Sequence, residues 1–263
     1  MSLFTLPSEK MVERESRQKI YGVCCAIVTN NQDDQGLYRV KVRFPWLPNG
    51  GQQGGEESDW CRIATIGAGK DRGMFVLPEV DDEVLVCFEH GDIARPYIIG
   101  SLWNSQQTSH RQGNKKDDDR NGKNDVRAFQ SRSGHKLEFD DKSGEEKINI
   151  QAKSGAKVEI DDKGGSKKIS ILDEKGDNYV VIDTQNKKIT IETKTGDMLL
   201  KAKGTIRLEA KTIETASDKD TTIKAGANLD MKAQSNFTLK ASGSGEVNSS
   251  GTLTVKGSTV NIN

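Results

Sequence analysis

At 263 residues, with 33% hydrophobic and 30% charged side chains, the chain is long enough for two domains but too poor in apolar residues to fill one large core throughout. Lysine plus arginine and aspartate plus glutamate both number 39, so no net field draws it to nucleic acid or anionic lipid. No apolar run approaches the roughly 18 residues of a membrane span, and no charged-then-apolar leader opens the sequence, so a soluble product of the cytoplasm is expected.

Residues 1–19 hold a short apolar start, a proline and a charged segment, read as an N-terminal arm. From Ile20 the pattern turns to strands: IYGVCCAIVTN, a turn at NNQDDQG, then LYRVKVRFPWL. A Gly-rich loop follows, then WCRIATIG, the loop AGKDRG, MFVLPEVDDEVLVCFEHGD and ARPYIIGSLWN. About five strands in some 85 residues fit a small barrel of the OB kind over residues 20–104. Cys24, Cys25, Cys61 and Cys87 lie in or beside these apolar runs without CxxC spacing, and read as buried free thiols. AGKDRG lacks the spacing and the following helix of a phosphate-binding loop. Trp46, Trp60, Tyr97 and Trp103 are expected to close the barrel ends or to pack on a neighbouring copy.

Three motifs stand in order here: RVKVRFPW at 39–46, GxxRGxxxLPExxDEVLV at 69–86, and GD with RPYxxGSLWN at 91–104. Together they resemble the OB domain of the central spikes of contractile injection machines. That family includes the valine-glycine repeat (VgrG) proteins of type VI secretion, phage baseplate protein V, and the spikes of extracellular phage-tail-like particles.

Residues 105–128, SQQTSHRQGNKKDDDRNGKNDVRA, have too little apolar content to bury themselves and read as a linker or surface strap. His110 and His135 are far apart and lack partners at ligand spacing. Asp117 to Asp119 are neutralised by neighbouring bases. No metal and no cofactor is expected.

From Phe129 the chain becomes a series of apolar–x–apolar dyads, whose period of two marks strands. Leu137/Phe139, Ile148/Ile150, Val158/Ile160, Ile169/Ile171, a VVI at 180–182 and Ile189/Ile191 recur every 9 to 11 residues. The period then tightens to eight, through Met198/Leu200, Ile206/Leu208 and Glu214/Ala216, with a one-residue slip expected at ASDKDTT. Beyond it, Ile223, Met231, Leu239, Val247 and Val255 fill one column, and Thr221, Leu229, Phe237, Gly245 and Leu253 fill another. About two inward apolar side chains per row contribute roughly 1.5 to 3 kcal/mol each. Ordering eight residues opposes this with about 1 to 2 kcal/mol per residue. A lone row is therefore unstable, and three chains wound about one axis would share both the hydrogen bonding and the core. Residues 129–263 are read as an intertwined three-chain β-helix. About fifteen rows at about 4.8 Å per strand would give a needle on the order of 70 Å.

The fold class expected is thus all-β, an OB barrel followed by a trimeric needle, and the resemblance implies the same architecture. The expected trimer core includes Leu200, Leu208, Ile223, Leu229, Met231, Phe237, Leu239, Val247, Leu253 and Val255. At the finish, Val260, Asn261, Ile262 and Asn263 lack paired histidines for an iron-bound tip, and are expected to bind a separate tip protein of the PAAR kind. Some members of the family carry a hub domain before the barrel. Only about 19 residues precede it here, so the resemblance implies a separate hub protein, besides baseplate and tube proteins. It further implies a structural role: plugging the tube, then piercing the target envelope after assembly into a baseplate and delivery outside. The linker leaves no room for the muramidase that one phage relative inserts, and no enzymatic activity is expected.

Two rival readings are weaker. An OB module binding sugar or single-stranded nucleic acid on a β-helical stalk needs a basic groove with exposed aromatics, against the balanced charge. A β-helical polysaccharide lyase or hydrolase needs clustered acids on one face, whereas the acids here sit in turns and shift from row to row.

Overall fold

The computed structural model describes residues 19–47, 55–110 and 123–262. The expected arm up to residue 18, part of the Gly-rich loop, Asp117 to Asp119 and Asn263 lie outside them. Two compact units divide the chain, Met1–Met198 and Leu199–Asn263. Apart from one 3-10 turn at Glu89–Gly91, every regular element among the described residues is a strand.

The first part of the chain forms β1 (Cys24–Asn30), β2 (Lys41–Phe44), β3 (Glu56–Glu57), β4 (Arg62–Ile63), β5 (Ala68–Gly69), β6 (Arg72–Gly73), β7 (Glu83–Phe88) and β8 (Pro96–Ser101). Six of these make one sheet in the order β3-β2-β1-β7-β8-β4, antiparallel except for the β4–β8 pair. A bridge between Val40 and Cys61, with N···O distances of 3.2 and 2.7 Å, ties the start of β2 to the start of β4. It closes the sheet on itself, so that β1, β2, β4, β8 and β7 form a five-stranded barrel.

Alternation fills that barrel. Ala26 and Val28 from β1, Val42 and Phe44 from β2, Val84, Val86 and Phe88 from β7, and Ile98 from β8 point inward with Val40 and Cys61. Phe44 packs at 5.7 Å from Phe88 and 5.8 Å from Trp46, both tilted. Gly55 cannot be replaced: it has φ +84°, and a Cβ there would lie 2.0 Å from the Phe44 carbonyl oxygen. The loop between β1 and β2 is pinned by Arg39, which donates from Nε and Nη2 to the two oxygens of Asp33 at 2.8 Å each. That fork holds the Asp33 carboxyl well below the usual range.

The chain then forms β9 (Val126–Gln130), β10 (Lys136–Asp140), β11 (Lys147–Gln151), β12 (Lys157–Asp161), β13 (Lys168–Leu172), β14 (Asn178–Asp183) and β15 (Lys188–Thr193). They are a seven-stranded antiparallel meander in sequence order. The first strand opens at Val126, three residues before Phe129, where the series was expected to begin. Each reversal contains a residue with positive φ: Gly134, Gly144, Gly155, Gly165, Gly176 and finally Lys187. Hairpins that match the twist of their strands need that backbone region, which glycine enters without a Cβ penalty.

After Lys187 no described residue has positive φ, glycines included. The unit Leu199–Asn263 accordingly has no hairpin and no paired strand among its described residues, and each of these is exposed. What it has is regular bends, at 203–204, 211, 218–219, 226–227, 234–235, 242–243, 250–251 and 258–259. The bend starts are eight residues apart except from 211 to 218, and the bend ends are eight apart except from 204 to 211, so one seven-residue row falls between 204 and 218. The one-residue slip expected at ASDKDTT matches the count from bend starts.

Two outcomes are expected for the barrel. Phe44→Ala should destabilise it by about 3 to 5 kcal/mol, read from a denaturant melt followed by Trp fluorescence. The Asp33 pKa is lowered on folding, so its contribution is complete above the unfolded value near about 3.9 and fades as the pH falls below it. Asp33→Asn should lower barrel stability at neutral pH and flatten the loss on acidification, measured as Tm from pH 7 down to pH about 2.5.

Candidate functional site

The antiparallel register places the dyads in two continuous ladders on one face of the meander. Phe129, Leu137, Ile150, Val158, Ile171, Val180 and Ile191 stand opposite one another from strand to strand. Beside them run Phe139, Ile148, Ile160, Ile169, Ile182 and Ile189. Most of these side chains remain exposed, Ile150 at 55% and Ile191 at 61%. A face two ladders wide and seven strands long exceeds the apolar patch an ordinary monomeric surface carries.

The other face of the meander is polar. Asp140, Lys147, Asp161, Lys168, Asp183 and Lys188 alternate in sign across successive strands. Two hydrogen bonds of 2.9 Å from Asn186, supported by the Lys168 charge, hold the Asp183 carboxyl below its ordinary range. Lys157 pairs with Glu159 at 2.9 Å and Lys136 with Glu138 at 3.7 Å. Asn149 lies buried among these groups, donating from Nδ2 to Gln151 at 3.3 Å while its Oδ1 has no hydrogen-bond partner. The polar face thus carries ion pairs of its own but leaves Asn149 Oδ1 unpartnered, and the apolar face is the more exposed.

In the second unit, Leu200, Leu208, Ile223, Leu229, Met231, Phe237, Leu239, Val247, Leu253 and Val255 are each more than half exposed. They recur at the same place relative to the bends, one or two per row, and the single chain brings none of them into a core. Ile206 and Ile213 are exposed as well. Val260, Asn261 and Ile262 are likewise exposed, Ile262 at 91%.

On the barrel, a groove of about 570 Å³ is lined by Tyr38, Arg39, Arg62, Arg72, Met74 and Phe75 among others. Tyr38 and Phe75 meet edge to face at 4.9 Å. Two of its three cations are engaged elsewhere, Arg39 by Asp33 and over Trp60 and Arg62 over Tyr97, which leaves Arg72. One remaining arginine is short of the basic lining that a nucleic-acid track needs. Trp103 is exposed and Trp46 nearly half so. All four cysteines are free thiols, but only Cys61 is fully buried; Cys25 is exposed and Cys24 and Cys87 are intermediate. Burial pushes the Cys61 thiol up to about 11. The AGKDRG segment is the β5–β6 hairpin, with no helix after it. His135 accepts a hydrogen bond from the Lys153 amide at 3.2 Å, and no group of three or more metal-binding side chains occurs among the described residues. No helix among them is long and apolar enough to cross a membrane.

Residues 24–103 match the family model of the type VI secretion system/phage-baseplate injector OB domain. The same part of the chain is similar to VgrG spike proteins. The chain is 40% identical over 70 residues to the type VI secretion system spike protein VgrG1a of Pseudomonas aeruginosa, a stretch that is 27% of this chain and 11% of that protein. To the spike protein VgrG3 of Vibrio cholerae it is 31% identical over 98 residues, 36% of this chain and 10% of that one. It also resembles the actin cross-linking toxin VgrG1 of Vibrio cholerae, at 36% over 78 residues, 29% and 7% of the two chains. The matched stretch is thus about a tenth of the length of these VgrG-like relatives. Motifs read from residues 39–104 carried the resemblance, and the family model falls on the same segment.

A single charge on the open face separates its role from that of the polar face. Ile160→Asp should weaken self-association at least about a hundredfold. Glu159→Gln, one residue away on the polar face, should leave it within about threefold, both measured by sedimentation equilibrium.

Proposed function

We propose that the protein is the homotrimeric central spike of a contractile injection machine. The observation that carries this reading is a conjunction: a barrel matching the injector OB domain, followed by more than a hundred residues whose apolar side chains stay largely exposed on the single chain. Three copies turning the ladders of β9 to β15 toward a common axis would bury them together. The rows of residues 199–262 would pair between chains, because their bends provide no reversal within one. Stiffness then comes from a hydrogen-bonded sheet shared by three chains, and resistance to load from their interlocking.

In this role the barrel plugs the end of the tube at the baseplate, against a hub protein. Sheath contraction drives the shaft through the target envelope, which it contacts mechanically. Val260, Asn261, Ile262 and Asn263 form the end on which a PAAR-like tip protein sits. The protein is made in the cytoplasm and leaves it with the machine. It binds no nucleic acid, needs no cofactor, and contributes structure and no catalysis.

Immunogold labelling of machines that carry an epitope on the barrel tests this directly. Gold should cluster at the baseplate end of the tube, and particles whose spike lacks residues 199–262 should lose penetration of target cells. Label spread along the sheath, or full penetration without those rows, would rule the assignment out.

A further inference from the structure

The motif LPEVDDE, residues 77–83, is part of what identifies the barrel, yet none of its acids is needed to fill the barrel core. The structure gives them other work. Asp81 is held at φ +76°, a region costly for any residue but glycine. It is fixed there by Asp81 N to Val28 O at 2.9 Å, Val28 N to Asp82 O at 3.0 Å and Asp82 N to Glu79 O at 3.1 Å. The Asp82 carboxylate accepts from the Glu79 amide at 2.8 Å. A turn so fully determined presents the remaining groups of the motif in one arrangement.

Those groups face the chain that leaves the barrel. Glu83 accepts from Asn104 Nδ2 at 2.7 Å, its carbonyl accepts from the Leu102 amide at 2.9 Å, and the Asp81 carbonyl accepts from Gln107 Nε2 at 2.9 Å. The exit strap is therefore stapled along this turn. Farther on, Arg132 in the first reversal of the meander donates to Glu79 Oε2 at 2.7 Å. Beside that ion pair Phe129 forms one wall of a groove of about 330 Å³ whose other walls include Ile66, Met74, Val76 and Leu77. Phe129 is also the first member of the first apolar ladder. The face that the meander leaves open thus begins against the barrel.

We propose that the turn at residues 77–83 is the joint that sets how the seven-stranded sheet stands on the barrel, with Arg132 pinned to Glu79 and Phe129 against the wall beside it. An exposed ion pair contributes little stability alone. Here it selects one rotation of the sheet about the barrel, among those the strap permits. The purpose of that selection rests on the spike reading: in a threefold assembly all three apolar faces must meet the axis together, and a joint set within each chain orients them before the copies meet.

Hydrogen exchange measured by mass spectrometry on the full chain tests the joint, using Glu79→Arg, Arg132→Glu and the charge-swapped double variant. Each single change should speed exchange at residues 102–107 and 131–135 by roughly two- to fivefold, leave β1 and β7 unchanged, and be reversed in the double variant. Phe129→Ala should speed the same amides. Unchanged exchange in both single variants would overturn the proposal, as would a double variant no better protected than the singles. Solution mass taken on the same samples separates this from the threefold reading. A monomer showing the full exchange cycle supports the joint and removes the trimer; a trimer showing no effect of the single changes overturns the joint alone.

Discussion

Everything beyond the barrel depends on one constraint: apolar side chains and backbone groups that one chain cannot satisfy. In the meander the backbone is paired, because six reversals with a left-handed residue fold each strand onto the last. Its apolar ladders still face outward. In the rows of the second unit even the backbone is unpaired, since bends without positive φ do not reverse the chain. The two regions thus differ in degree, with the backbone paired before residue 194 and unpaired among the described residues after 198.

The barrel answers the same problem within itself. Its sheet closes through the Val40–Cys61 bridge, and ten side chains fill the interior. Closure removes the edges that would otherwise recruit another strand. The chain therefore joins a domain with its own closed core to a region whose apolar side chains stay largely exposed.

Much of this was legible in the sequence, for a physical reason. Period-two alternation survives translation into structure because the side chains of a strand alternate strictly, so dyads such as Val158/Ile160 and Ile169/Ile171 were readable and stand paired across β12 and β13. Glycines in DDKSGEE or DDKGGSK likewise announced reversals. What could not be read were relations between distant residues. Nothing local joins Arg132 to Glu79, or Val40 to Cys61. Counting periodicity detects that a row is short more easily than which row it is, as between 204 and 218. The exposed Cys25 was invisible for another reason, since residue type is a statistical guide to burial and does not fix it at one position.

The central claim is that the shaft exists only as three chains together. It is tested most directly by the mass of the purified full chain at micromolar concentration, by light scattering and then by electrophoresis in SDS without boiling. The account predicts three times 28.9 kDa in both, with collapse to one chain only on heating. A monodisperse species of 28.9 kDa in solution, with the repeat region intact, would contradict it.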